Sequence, residues 1–173
     1  KYKFKKIFIS KKYINSKFDK IIDRYSKKNF YIEKIVEKNF LGTAGPISLI
    51  KEEKFKNVVV SNADIICNLD YFDLINHHEL ENNDITTCTK EANFQIPFGL
   101  VNNNYIKGTK IFVDEKPTIL IRFNIGIYVF KKTVLKKIKF KEKIDMPSLI
   151  NKLAKSNFKI GQYHVFENLN HYT

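Results

Sequence analysis

One stretch of the chain, from Asn57 to Asp64, constrains the fold more than any other. It reads Asn-Val-Val-Val-Ser-Asn-Ala-Asp, so three β-branched residues lead into small and polar residues and then a single acid. Such a run is typical of a strand buried on both faces of a parallel sheet. Because open α/β sheets bind ligands at the carboxyl ends of their strands, Asp64 is a candidate metal ligand. The local pattern is equally consistent with an Asp64 that ends the strand or caps a helix.

The chain has 173 residues, which suits one domain with its own core. It contains neither a long apolar run nor a signal-peptide pattern, so we expect a cytoplasmic protein without a membrane span. Cys67 and Cys88 have no metal-site spacing and are expected to be reduced thiols. The chain starts with Lys1 and its one methionine is Met146, which indicates part of a longer polypeptide.

The formal net charge of +13 raises the question of a nucleic-acid partner. Only two of the 31 basic residues, Arg24 and Arg122, are arginine, the residue that dominates base reading and bidentate phosphate contacts. The lysines are spread along the whole chain. We therefore expect a generally basic surface and no specific nucleic-acid partner.

Apolar spacing alternates between strand-like and helix-like periods along the chain. The predicted strands are Lys6–Ser10, Phe30–Val36, Val58–Ser61, Ile85–Thr89, Pro97–Val101, Lys110–Val113, Ile119–Phe130 and Phe158–Phe166. The predicted helices are Tyr13–Tyr25, one beginning near Pro46, Asp70–Leu80 capped by Asp70, Val134–Ile138, and Met146–Ser156 capped by Asp145. This order predicts an α/β fold: one domain with a mixed, mainly parallel sheet flanked by helices, and a small antiparallel β region.

A glycine-containing turn, Leu41-Gly-Thr-Ala-Gly45, lies between a predicted strand and a predicted helix. Its glycines permit close backbone approach, and the helix N-terminus offers N–H groups to an acceptor-rich ligand. The alternative is an ordinary tight turn between a strand and a helix. The turn by itself does not decide between them.

Three further motifs combine polar side chains or glycine with predicted strands. Pro97-Phe-Gly99 begins a strand, where glycine allows a ligand to touch the backbone or marks a bulge. Glu115-Lys-Pro117 precedes a strand and is either a binding pair or a solvated turn. Asn124-Ile-Gly-Ile-Tyr128 places an amide inside an apolar strand, where a buried Asn needs hydrogen-bond partners and a ligand is one candidate.

In their order and spacing, these motifs resemble those of the sugar-1-phosphate nucleotidyltransferases, also called nucleotide-sugar pyrophosphorylases. The resemblance rests on Leu41–Gly45, Ser61–Asp64, Pro97–Gly99, Glu115–Pro117 and Asn124–Tyr128, and it covers nearly the whole chain. It implies a Rossmann-like, Mg²⁺-dependent enzyme that joins a nucleoside triphosphate to a sugar 1-phosphate and releases pyrophosphate. It further implies a role in surface-glycan biosynthesis, and self-association into a homo-oligomer is compatible with it.

The resemblance also implies roles for single residues. Gly42 and Thr43 would contact the nucleotide base through the backbone, and Asp64 would be the catalytic residue that holds Mg²⁺. The sugar phosphate would be bound by four residues: Gly99, Glu115, Lys116 and Asn124.

Two expected parts of that family are missing from the given residues. Its first strand and Gly-rich phosphate loop would precede Lys1, and a second metal-binding acid would lie just beyond His171–Thr173. We therefore expect the 173-residue chain to lack this first strand and loop and to show little or no transferase activity alone. The alternatives are a non-catalytic relative that binds sugar or nucleotide, and a basic nucleic-acid binder.

Overall fold

The structure is a computed structural model that describes residues 4, 6–12, 16–28, 31–50, 54–102, 111–166 and 170–171. Its strands are β1 (Ile7–Lys11), β2 (Ile32–Val36), β3 (Asn57–Ser61), β4 (Ile65–Ile66), β5 (Ile85–Gln95), β6 (Leu100–Asn102), β7 (Phe112–Asp114), β8 (Thr118–Lys131), β9 (Ile160–His164) and β10 (Asn170–His171). Its α-helices are α1 (Ser16–Lys28), α2 (Tyr71–Leu80), α3 (Lys132–Leu135) and α4 (Met146–Ala154), with a 3-10 helix at Gly45–Leu49.

Four strands form the central sheet in the order β3-β8-β5-β9. β8 is antiparallel to β3 and β5, whereas β5 and β9 are parallel, so β3, β5 and β9 run in one direction. β1 and β2 form a separate parallel pair. The predicted α/β fold, with a mixed sheet flanked by helices, is confirmed.

β8 carries the core, because all of its residues 125–130 are buried. Its aromatic residues in this stretch pack in a cluster that includes Leu149 of α4. The alternating aliphatic residues pack in a second cluster that includes Leu74 of α2. Successive side chains of a strand point to opposite faces, so helices on both sides of the sheet cover this continuous apolar run.

The two cysteines are unpaired in the structure. Cys88 lies in the second core cluster, where burial raises the pKa of its thiol to about 12. A thiol held in its neutral form is a poor nucleophile and metal ligand.

Beyond the core, β5 and β8 continue as a two-stranded antiparallel arm. A shift in register between Thr87 and Thr89 marks an irregularity, after which pairing continues to Gln95 and Thr118. Residues 118–124 of β8 are exposed, and Glu91 forms an ion pair with Arg122 across the arm. The arm and the antiparallel β6–β7 pair constitute the predicted antiparallel region.

Several predicted boundaries were wrong. β5 runs to Gln95 rather than Thr89, because its pairing with β8 supplies hydrogen-bond partners beyond the apolar stretch. The helix expected near Pro46 is a short 3-10 helix, and the strand expected from Pro97 begins at Leu100. The expected starts at Tyr13, Phe30 and Lys110 lie outside the described residues.

The predicted cap of α2 is confirmed. The Asp70 carboxylate accepts the N–H groups of Phe72 and Asp73, at 2.8 and 3.1 Å. These bonds satisfy donors that have no partner within the first helical turn.

A buried polar cluster joins the end of α2 to the start of β5. His78 is fully buried, and its Nδ1 is hydrogen-bonded to Thr86 Oγ1 at 2.8 Å, while its Nε2 has no hydrogen-bond partner among the residues that the structure describes. Asn83 also donates to Thr86 Oγ1, at 3.1 Å. Burial is the main reason that the pKa of His78 falls to about 4, and the nearby Lys131 adds to the effect.

We predict that this cluster makes the protein sensitive to acid. The folded pKa of His78 lies below the unfolded value, so the unfolded chain binds the proton more readily. The contribution of neutral His78 to the free energy of unfolding is therefore fully present above about pH 6.5, and it decreases by up to about 3 kcal/mol as the pH drops toward 4. Urea unfolding at several pH values should show a smaller slope of stability against pH for His78→Gln than for wild type. Equal slopes in that pH range would contradict the prediction, whatever the absolute stabilities.

Candidate active site

Asp64 lies on the short loop that joins β3 to β4, and its side chain is exposed. The loop rests on β8, because the Asn62 N–H donates to the Gly126 carbonyl oxygen at 3.0 Å. Gly126 has a φ of +80°, and a Cβ there would lie 2.6 Å from Asn62 Nδ2. Glycine at this position therefore lets the loop that carries Asp64 settle directly on the strand. The helix-cap alternative for Asp64 is wrong, since Asp70 caps the helix that follows.

The surroundings of Asp64 define what kind of metal site it can contribute to. Among residues in the described ranges, no three His, Cys, Asp or Glu side chains form a group that could hold a metal ion. Mg²⁺ is commonly held by one or two carboxylates together with water and substrate phosphates. The exposed Asp64 carboxylate therefore fits a magnesium ion that arrives with its phosphates, rather than a closed metal site made by protein alone.

The end of the chain returns to the same loop. β10 pairs with β4 in antiparallel fashion, so that His171 lies opposite Ile65 and Asn170 opposite Ile66. Because Ile65 directly follows Asp64, residues 170–171 border the candidate metal ligand. The second metal-binding acid expected just beyond His171–Thr173 stays a prediction.

Asn124 and Gly126 lie side by side on β8 below the Asp64 loop. Asn124 Nδ2 donates to the Tyr128 hydroxyl at 2.7 Å, and Asn124 Oδ1 accepts the Gly126 N–H at 2.7 Å. The expectation that Asn124 is buried is wrong, because its residue is exposed. Its amide is oriented by the strand itself, which presents an ordered polar group at the surface.

Gly99, Glu115 and Lys116 come together at the β6–β7 pair. A Cβ on Gly99 would lie 2.8 Å from Val113 Cγ1 and 3.6 Å from Glu115 Oε2, so glycine brings the backbone close to the glutamate. Lys116 follows in a turn with a φ of +45°, and its Nζ lies 3.9 Å from Glu115 Oε1. All three residues are exposed. In the part of the chain that is described, no hydrogen bond or ion pair joins this group to Asp64 or Asn124.

The turn at residues 41–45 is held by the segment that leads into α4. Thr43 donates its N–H to Asp145 Oδ1 at 3.2 Å, and the N–H groups of the next two residues donate to the Ile144 carbonyl oxygen at 3.0 and 3.2 Å. The prediction that these N–H groups are offered to a ligand is therefore wrong for all three. The role of Gly42 and Thr43 in base binding stays a prediction, and it falls to their other backbone atoms.

Glu37 was not singled out by the sequence, although it supports this turn. The residue is 9% exposed, with Oε1 accepting the Ser10 hydroxyl at 2.7 Å and Oε2 accepting the Leu41 N–H at 3.1 Å. The carboxylate thus links β1 to the start of the turn. The sequence shows only that an acid directly follows a predicted strand. It does not show that this acid is buried, and burial is what marks Glu37 as a structural residue.

Comparison with known protein families shows to which family the chain belongs. The family model described as nucleotidyl transferase matches residues 1–169, nearly the whole chain. The chain belongs to the nucleotidyl transferase family. The family expected from the sequence motifs is thereby confirmed.

Relatives of this nucleotidyl transferase chain include guanyltransferases. It is 30% identical over 144 residues to a mannose-1-phosphate guanyltransferase of Hypocrea jecorina, covering 76% of this chain and 39% of the relative. It is 28% identical over 162 residues to the corresponding protein of Gibberella zeae, covering 86% and 42%. The chain thus spans about two fifths of the length of these curated relatives.

Two solved structures show the same fold. HddC from Yersinia pseudotuberculosis matches with a TM-score of 0.67 and 21% identity, over 98% of this chain and 73% of that one. A glucose-1-phosphate thymidylyltransferase from Bacillus anthracis, described as putative in its own name, matches with a TM-score of 0.65 and 15% identity, over 95% and 70%. Both matches support the Rossmann-like fold expected from the motifs.

None of the helices in the described part of the chain is both long enough and apolar enough to cross a bilayer.

We predict that Gly126→Ala displaces the Asp64 loop. The substitution places a Cβ at positive φ and 2.6 Å from Asn62 Nδ2, so it should cost roughly 2 to 4 kcal/mol of stability. Adding Asn62→Ala removes the clashing side chain but not the backbone strain, and should recover part of the loss. Chemical denaturation of the single and double variants measures both effects. A Gly126→Ala protein as stable as wild type would contradict the geometry.

Proposed function

We propose that the protein containing this chain joins a nucleoside triphosphate to a sugar 1-phosphate, giving a nucleotide-sugar and pyrophosphate. The observation that carries the proposal is the exposed Asp64 carboxylate at the carboxyl end of β3, held over β8 and bordered by residues 170–171. Membership of the nucleotidyl transferase family supports it. Guanine is the first base to test, because the relatives described above are guanyltransferases that act on mannose 1-phosphate.

The reaction requires positioning rather than a protein nucleophile. A phosphate oxygen of the sugar phosphate attacks the α-phosphorus in line, a new P–O bond forms, and the bond to pyrophosphate breaks. In this proposal the Asp64 carboxylate would hold Mg²⁺, whose charge offsets the gathered negative charge of the phosphates. Asp64 itself aligns the phosphates and undergoes no covalent change.

The remaining predicted residues divide between the two substrates. Gly42 and Thr43 would bind the base through backbone atoms, beside the turn that Asp145 holds. Gly99, Glu115 and Asn124 would bind hydroxyl groups of the sugar, and the Lys116 ammonium would lie near its phosphate. The exposure of the four residues assigned to the sugar phosphate supports that assignment, because a substrate must reach them, whereas Gly42 is buried.

We propose that the site is completed by a strand and a Gly-rich phosphate loop from outside the given residues. Among the described residues, β3 pairs only with β8 and β1 only with β2, so each shows one unpaired edge. Both strands carry three consecutive apolar residues, residues 7–9 and 58–60, which is typical of strands that are covered on both faces of a sheet. In this structure those residues are only half-buried, which supports the proposal that a further strand covers them.

This proposal predicts a difference between the chain and its parent. The 173-residue chain should release little or no pyrophosphate with any pair of nucleoside triphosphate and hexose 1-phosphate, whereas the full-length protein should turn over at least one pair. The reason is that, in this proposal, the loop that binds the triphosphate lies outside the 173 residues. Pyrophosphate release measured on both proteins tests it, and robust turnover by the 173-residue chain would contradict it.

We further predict that Asp64→Ala abolishes the Mg²⁺-dependent activity of the full-length protein while leaving its folding nearly intact. An exposed carboxylate contributes little to stability, but the proposed metal would lose its protein ligand. Asp70→Ala is the matched control, since it removes a nearby aspartate and costs about 1 kcal/mol through the lost helix cap. Activity should survive in that control. Retained activity in Asp64→Ala would remove Asp64 from the proposed site.

The second candidate function is a non-catalytic relative that binds the same ligands. The observation that favours it is that no three metal-ligating side chains cluster among the described residues. A full-length protein that is stabilised by nucleotide-sugars in a thermal-shift screen, yet releases no pyrophosphate, would identify this case.

For the catalytic case we propose a cytoplasmic enzyme of surface-glycan biosynthesis. Light scattering of the full-length protein would measure its oligomeric state.

A further inference from the structure

The turn at residues 41–45 and the start of α4 exchange hydrogen bonds in both directions. The Thr43 N–H donates to Asp145 Oδ1, at 3.2 Å. In return, Thr43 Oγ1 accepts the Met146 N–H at 2.8 Å. These residues are about one hundred positions apart in the sequence, so the exchange is a tertiary contact between two elements.

The exchange replaces the helix cap that the sequence predicted. Asp145 stands at the N-cap position of α4 but makes no side-chain cap hydrogen bond to its own helix. Thr43 Oγ1 instead accepts the first N–H of the helix, that of Met146, while the Asp145 carboxylate accepts the Thr43 N–H and so holds the turn. An aspartate at this position therefore serves the turn rather than the helix.

Gly42 fits closely beneath the same carboxylate. It has a φ of +77°, and a Cβ there would lie 2.6 Å from both Asp145 Oδ1 and the Ile144 carbonyl oxygen. The backbone around it is also fixed, because Ile144 donates to the Leu41 carbonyl oxygen at 2.9 Å. Hydrogen bonds thus hold the residue before Gly42 and the residue after it. A side chain at position 42 would push the turn away from α4.

We propose that Asp145 is a positioning residue for the nucleoside triphosphate, acting through the backbone of Gly42 and Thr43. This inference rests on the proposed function, in which those two residues contact the base. A turn held in one conformation before binding loses less conformational freedom when the ligand arrives, so its affinity is higher. Asp145 thereby links the α4 side of the domain to nucleotide affinity, a role that no sequence motif assigned to it.

The test compares variants of the full-length protein by steady-state kinetics. Asp145→Ala removes the acceptor of the Thr43 N–H and should raise KM for the nucleoside triphosphate about tenfold. It should leave kcat and KM for the sugar 1-phosphate within about twofold of wild type, because the sugar site is built from other elements. Asp145→Asn keeps an acceptor oxygen and should restore most of the nucleotide affinity.

Asp84→Ala is the matched control for general loss of stability. Asp84 Oδ2 accepts the N–H of the distant Lys159 at 2.9 Å, so this variant also removes a carboxylate that bridges two segments. It lies at the start of β5, opposite to the carboxyl ends of the parallel strands. We expect Asp84→Ala to lose stability without a change in KM for the nucleotide.

Each outcome decides between the proposals. No turnover by wild-type protein with any substrate pair would reject the proposed function, and with it this role of Asp145. Turnover with an unchanged nucleotide KM in Asp145→Ala, or without recovery in Asp145→Asn, would reject the positioning role alone. Hydrogen exchange at the Thr43 amide should become faster in Asp145→Ala than in Asp84→Ala, and equal exchange in the two variants would also reject it.

Discussion

The pairing of β8 with β3 on one side and β5 on the other is the interaction on which the rest of the structure depends. Residues 125–130 of β8 are buried on both faces, and α2 and α4 each add apolar residues to one of the two clusters that this strand joins. The same strand presents Asn124 just before the buried stretch and Gly126 within it. The core and the candidate site therefore share one element, and a change in the register of β8 would move both.

The candidate site consists of loops, and each loop is held by its own contacts to a neighbouring strand or segment. The Asp64 loop is bonded to Gly126, the turn at residues 41–45 is bonded to the segment before α4, and Gly99 is packed against the β7 strand. In each case a glycine permits the close approach. Positioning of this kind suits phosphoryl transfer, in which orientation and electrostatic stabilisation supply most of the rate enhancement.

Sequence reasoning succeeded where local pattern and tertiary structure agree. The apolar run at residues 58–60 and the alternation of strands and helices were enough for the α/β fold. Asp70 was recognised as a cap because capping is decided within one helical turn. Asp145 was misread for the opposite reason: its chemistry suits a cap, but its partner Thr43 lies about one hundred residues away.

The sequence by itself determined the class of fold, the family and the order of the candidate motifs, because apolar periodicity and motif spacing are written along the chain. Only the tertiary structure decided which donors and acceptors remain available at those motifs. In the folded chain the N–H groups of residues 43–45 donate to residues 144 and 145, so they are already hydrogen-bonded. Asn124 is exposed and Glu37 is buried. Hydrogen bonds between distant segments depend on how the chain is packed, and a single sequence does not record which segments meet.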